Sequence, residues 1–212
     1  MNLLTLAVRL SALFLALPVH EFAHAAMAVY LGDDTPRRAG RYTLDPRAHL
    51  DLFGSLLLLI VGFGWAKPVP FNPWAVLRRT RWGVLLVALA GPLSNFGLAV
   101  VTVFLHLILA RTGLLPAWGD MALFIFAYLN LILAFFNLIP LPPLDGHHIL
   151  RELAPRFWNQ YLVPLEQYSM LIFIVLLWLL PRMGFDILGW LVSTPALWVL
   201  DKLYLVGSLL FL

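Results

Sequence analysis

From Leu3 to Leu31 the chain is apolar almost without a break, yet His20, Glu21 and His24 stand inside that run, with Arg9 as its only other charge. A run of this length can fold as a helix that crosses a bilayer, which takes about 20 apolar residues. Lipid offers no partner to an imidazole or a carboxylate, and desolvating them is expensive. A satisfied core histidine pair would need partners that lipid cannot supply. The spacing points elsewhere. At ~100° per residue, positions four apart share a helix face and lie ~6 Å apart along the axis, so both rings can reach one ion. H-E-x-x-H on a helix is a zinc-hydrolase signature. Glu21 projects to the side of the pair, where it can reach a water at the ion without being a ligand.

Composition extends the membrane reading to the whole chain. Of the 212 residues, 62% are hydrophobic and 12% charged, against about 25% charged in soluble domains. The fold class this implies is an all-α polytopic membrane protein. It would be a bundle of about five to six transmembrane or half-spanning helices, with a short extended or β segment at the membrane surface. No internal repeat or low-complexity linker divides the chain, so residues 1–212 read as a single domain. No basic cluster is mixed with aromatics of the kind that binds nucleic acid. Cysteine is absent, which excludes disulfides and thiolate metal sites. The first apolar run is longer than the core of a secretory signal and holds the candidate site, so it reads as retained.

Along the chain, Gly32-Asp33-Asp34 and Pro36 end the first span. Residues 37–51 alternate Thr, Tyr and Leu among charges and read as extended chain or a short hairpin. Residues 52–65 are apolar but short, which suggests a re-entrant or interfacial piece. Residues 66–73 hold three prolines and cannot be helical. Strong spans follow at Gly83–Ala110, Met121–Ile139 and Leu162–Leu180. Residues 185–212 are interrupted by Pro195, Asp201 and Lys202 and could form one broken span or two half-helices. Lys67, Arg78, Arg79 and Arg81 share one loop with no acid. By the positive-inside rule that loop is cytoplasmic, and so is the Arg37–Arg47 loop. The inner end of the first span then lies on the cytoplasmic side, as does the exit of the third.

That exit reads Asn137-Leu138-Ile139-Pro140-Leu141-Pro142-Pro143-Leu144-Asp145-Gly146-His147-His148. Catalytic zinc usually takes three protein ligands and keeps a position open. Asp145 is the natural third ligand after His20 and His24, and Gly146 permits a sharp turn or close backbone approach. Irregular backbone at membrane depth is tolerated only where it is buried in protein or lines a wet cavity. The prolines therefore argue that this stretch faces a site.

The paired motifs closely resemble the site-2 protease family of intramembrane zinc metalloproteases. Two further stretches share the resemblance: Ala90-Gly91-Pro92-Leu93-Ser94-Asn95, and Gly64-Trp65-Ala66-Lys67-Pro68-Val69-Pro70 with Asn72-Pro73, typical of the short prokaryotic members without PDZ or CBS domains. The resemblance implies a three-helix catalytic core within a bundle; the expected setting is a prokaryotic inner or plasma membrane, with the active site toward the cytoplasm by the charge bias above. It implies one Zn²⁺ per chain on His20, His24 and Asp145, and Glu21 as general base. It places Asn137 near the scissile carbonyl and Asn95 at a polar position in the core. The implied activity is hydrolysis of peptide bonds in membrane-spanning substrates, that is, regulated intramembrane proteolysis. The implied partners are a transmembrane protein or peptide substrate and membrane lipid, with no nucleic acid.

A metal transporter or a non-cleaving zinc-binding membrane protein is the alternative. A transporter usually shows an internal repeat and polar groups along a through-pathway, whereas here they converge at one depth. Other polar residues have plainer readings. His49 with Asp51 reads as a surface hydrogen-bonded pair, as a gating pair, or as a support to the metal ligands. His147 and His148 read as neighbours of the metal rather than ligands, and His106 as interfacial. Glu166, with Arg151 and Arg156 upstream, reads as a structural ion pair or an interface anchor, and Asn130 as an interhelical hydrogen bond.

Overall fold

Apolar sequence becomes helix nearly everywhere. The computed structural model describes residues 3–60 and 64–210, and among them no β-strand forms. The first run is one helix, α1 (Leu3–Tyr30), with a wider π turn at Ala12–Ala16. Gly32, at φ 94°, turns the chain away after it. Next come α2 (Leu52–Ile60), α3 (Pro73–Arg79), α4 (Gly83–Arg111), α5 (Ala117–Asn137) and α6 (Asp145–Leu153). The last part holds α7 (Pro155–Glu166), α8 (Ser169–Arg182) and α9 (Thr194–Leu210). Three of these, α1, α4 and α5, are long and apolar enough to cross a membrane. They match the first three spans expected from the sequence to within a few residues.

Three expectations change. Residues 37–51 form no hairpin; the region folds as two single helical turns, Thr35–Arg38 and Pro46–His49. Asp45 caps the second turn by accepting from Arg47 N, with Pro46 at its first position. Those local signals override the alternation. A lone antiparallel bridge, Leu50 to Ala66, is what remains of strand pairing. The fourth span is bent by 82° between α7 and α8. The polar run Glu166-Gln167-Tyr168-Ser169 sits at that corner. Glu166 accepts there from Trp158 Nε1 at 2.9 Å, not from an arginine. The C-terminal part is neither broken nor two half-helices within the described residues. A π turn at Gly189–Ser193 runs straight into α9. This wider turn accommodates Pro195, which has no N–H to give.

Within the short apolar piece the described residues form α2, and residues 61–63 of the 52–65 stretch lie outside the described residues. Nine residues rise only ~13 Å, under half of the ~30 Å hydrocarbon core. Its last carbonyls still need donors. Arg9 supplies them: Nη1 donates to Leu59 O at 2.6 Å and to Ile60 O at 3.0 Å. The single arginine in the first span is thus a helix cap delivered from another helix.

α4 lies at the centre, packed along α1 on one side and α5 on the other, with α9 against both α4 and α5. Ala99 and Val103 of α4 meet Ala127 and Leu131 of α5 and Ala196 and Leu200 of α9. Lipid tails give helices no hydrophobic push toward each other, so small residues that allow close approach matter more here than in water. At the end of this contact, His106 of α4 is buried between Tyr204 Oη (2.6 Å) and Asp120 Oδ1 (2.8 Å). It is therefore an interhelical tie. The outside of the bundle is apolar as well, with Leu93, Val101 and Met170 each more than 60% exposed, as a lipid-facing surface should be.

Candidate metal centre

Val87, Gly91 and Asn95 follow one another at four-residue spacing and so form a stripe along one face of α4. The two histidines of α1 lie against that stripe. His24 Nδ1 is 2.7 Å from Val87 O, and His20 Nδ1 is 2.6 Å from Asn95 Oδ1. Between them Gly91 leaves room for the rings: a Cβ there would sit 2.6 Å from Cε1 of both imidazoles and closer still to His24 Nε2. The rings stand edge to face, 4.6 Å between centroids.

Asp145 comes from the other side. Gly146 lets the start of α6 fold back on the end of α5, where a Cβ would collide with Leu138 O and Ile139 O. This is the close approach that glycine permits. Asp145 Oδ2 then lies 3.2 Å from His20 Nε2 and 3.3 Å from His24 Nε2, with the two Nε2 atoms 3.0 Å apart.

The donor set fits a zinc ion. Val87 O can only accept, so neutral His24 carries its proton on Nδ1 and turns a lone pair toward the other two atoms. Asp145 Oδ2 is buried and, among the described residues, has no hydrogen-bond partner. A buried carboxylate oxygen facing imidazole lone pairs is unfavourable unless a cation lies among them. Tetrahedral zinc with bonds of ~2.0–2.1 Å sets ligand atoms ~3.3–3.4 Å apart. The three observed edges lie just inside that. Among the described residues, His20, His24 and Asp145 are the group that could hold a metal ion.

Glu21 is buried beside this triangle, and its Oε2 accepts from Val69 N at 3.1 Å. Val69 belongs to an extended strap, residues 66–72, running along α1. Ala66 packs on Leu13 and Leu17, Lys67 N donates to His49 O, and Asn72 N donates to Asp33 Oδ2 at 2.6 Å. Arg41, buried at 4% exposure, donates to Lys67 O. Burial lowers the pKa of its guanidinium, against a smaller upward pull from the Glu21 carboxylate nearby.

Asn137 is placed differently from the metal-facing trio. It ends α5 and its Nδ2 donates to Leu133 O at 2.9 Å. Among the described residues it makes no hydrogen bond to them. His147 donates from Nδ1 to Leu144 O at 2.6 Å, and its ring centroid lies 3.7 Å from that of His148. Burial, followed by the charge of His147, pushes His148 down to about 4, so it is neutral near pH 7. His49 is fully buried and donates from Nε2 to Thr43 O, while Asp51 caps Gly54 N, so the two form no surface pair. Asp33, which ends the first span, also accepts from Thr35 N and so ties the strap to the turn that follows α1; the role of Arg41 depends on a carbonyl 26 residues away and has no local signal.

Comparison with known proteins follows the same line. The profile described as peptidase family M50 matches residues 116–180. YwhC of Bacillus subtilis (strain 168), which its name assigns to the zinc metalloproteases, is 41% identical over 169 residues, 77% of each chain. This chain belongs to peptidase family M50. Rip2 of Mycobacterium tuberculosis (strain H37Rv), named in the same way, is 32% identical over 210 residues, 92% of this M50 peptidase and 76% of Rip2. No solved structure matches significantly. With three spanning helices and this family, the M50 peptidase is an integral membrane protein.

Proposed function

We propose that this M50 peptidase is an intramembrane zinc metalloendopeptidase that hydrolyses peptide bonds of membrane-spanning substrates. The observation that carries the reading is the convergence of His20 Nε2, His24 Nε2 and Asp145 Oδ2, with every edge at or below 3.3 Å, beside a buried glutamate. His20, His24 and Asp145 hold one zinc per chain. When bound there, zinc supplies a Lewis acid that polarises the scissile carbonyl and lowers the pKa of water to about 7. Glu21, steadied by Val69 N–H, takes the proton of the attacking water and delivers it to the leaving amine. Asn137 has a second amide hydrogen beyond the one given to Leu133 O, and donates it toward the substrate carbonyl. The basic loops at Arg37–Arg47 and Lys67–Arg81 support a site that opens toward the cytoplasm.

A test uses the purified full chain in detergent with a panel of single-span peptides. Wild type should carry one zinc and cut; Asp145→Asn should lose both zinc and cleavage. Cleavage that survives exhaustive chelation, or an Asp145→Asn chain that keeps zinc and turnover, overturns the reading.

The strap makes a separate prediction. Val69→Pro deletes the donor that holds Glu21, in a backbone already flanked by Pro68 and Pro70. A hydrogen bond to a charged group contributes ~1.5–3 kcal/mol, so cleavage should fall at least about tenfold. Zinc content should not change. Unaltered cleavage would mean that the strap does not position the base.

A further inference from the structure

Beneath the imidazoles runs a chain of side-chain amides whose direction is dictated by its far end. Phe126 O is a backbone carbonyl and can only accept, so the Asn130 atom 2.9 Å from it is Nδ2. Asn130 Oδ1 then faces Asn95 and accepts from Nδ2 at 3.0 Å. Ala16 O, a second pure acceptor, takes the same Nδ2 at 3.3 Å. Asn95 Oδ1 is thereby turned to His20 and can only accept from Nδ1, 2.6 Å away. Neutral His20 must carry its proton on Nδ1, which leaves the Nε2 lone pair facing His24 and Asp145. His24 needs no such chain, because a backbone carbonyl does the same for it.

Both amides are fully buried. Each is costly in an apolar bundle unless its groups are paired. An unassisted neutral imidazole prefers its proton on Nε2, the nitrogen that here points to the metal.

We propose that Asn95 and Asn130 are positioning residues: a relay across three helices that holds His20 in the Nδ1–H form and so presets Nε2 for the metal. The relay begins at the backbone of α5, passes through α4 and ends on α1. It couples the register of those helices to the state of one ligand nitrogen. Outer partners of metal-bound histidine typically contribute about 10–100-fold in metal affinity. The inference rests on the metal-site reading above.

The experiment uses the full chain in detergent with ¹⁵N-labelled histidine. Ring-nitrogen signals are read in the metal-free protein, and zinc affinity is measured by competition with a chromophoric chelator. Wild type should show His20 protonated on Nδ1. Asn95→Leu should move that signal toward Nε2–H and weaken zinc by about 10–100-fold. Asn95→Asp keeps an acceptor, so it should keep the tautomer and bind zinc better than Asn95→Leu. Asn130→Leu removes one of two partners of Asn95 Nδ2 and should fall between. A purely structural role would lower thermal stability in all three variants without moving the tautomer. Should Asn95→Leu fail to fold, the wild-type signal and Asn95→Asp still decide. His20 protonated on Nε2 in wild type, wild-type affinity in a folded Asn95→Leu chain, or loss of the tautomer in Asn95→Asp overturns the relay. A wild-type chain that binds no zinc at all would instead overturn the metal centre itself.

Discussion

Glu21→Gln is expected to stop cleavage while leaving the metal in place. Glutamine keeps the shape of the side chain and can still accept from Val69 N–H through its oxygen. It cannot take a proton from water. Removing a positioned general base costs about 10²–10⁴ in rate, and the loss should fall on kcat with KM little changed, since the group acts only in the transition state. Zinc should stay at one per chain, because Glu21 is not among the three converging donors. The measurement is a single-span peptide cleaved by matched, zinc-loaded preparations. If the variant comes within about threefold of wild type, the general-base role is wrong. If zinc is lost instead, Glu21 belongs to the ligand set.

Gly91→Ala should do comparable damage by a steric route. The new methyl would meet Cε1 of His20 and of His24 at 2.6 Å and crowd His24 Nε2. The rings cannot swing away, because both Nδ1 atoms are tied to the same helix at Val87 and Asn95. Either those bonds break or α1 and α4 move apart. Overpacking typically costs ~1–3 kcal/mol, which corresponds to roughly 5–150-fold in zinc affinity if it falls on the bound form. Cleavage should drop further, because a displacement of ~1 Å at a reacting centre can cost ~10²-fold by itself. Gly97→Ala is the matched control. It lies on the same helix, its Cβ would meet nothing within 4 Å, and alanine favours helix by ~0.5–1 kcal/mol over glycine. Zinc affinity and cleavage like wild type in Gly91→Ala would mean that the rings are not held as described.

What the sequence made legible were features whose geometry is local. The four-residue step from His20 to His24 is a property of any helix, and the proline-broken approach to Asp145 announces irregular backbone at a depth where it must face something. Gly146 carried its own meaning for the same reason. Arg9 and Asn95 were visible as polar residues in apolar helices, but not their partners. Which carbonyl an intramembrane arginine reaches depends on how a helix 50 residues away packs against it. The fourth span misled because both arms of the bend are equally apolar, and the four polar residues at the corner are too few to disturb a hydropathy window. Loop 37–51 misled because alternation competed with helix-start signals, and the prolines at Pro36 and Pro46 with the Asp45 cap won. His49 was read as a surface group, since its burial depends on Lys67 reaching across from the strap.

In extended chain, residues two apart present their backbone groups to the same side. Lys67 and Val69 turn theirs inward, to His49 and Glu21. The opposite edge belongs to Pro68 and Pro70, which carry carbonyls but no N–H. That border speaks in acceptors alone. Two such borders have nothing to offer each other, so neighbouring copies cannot zip together along it.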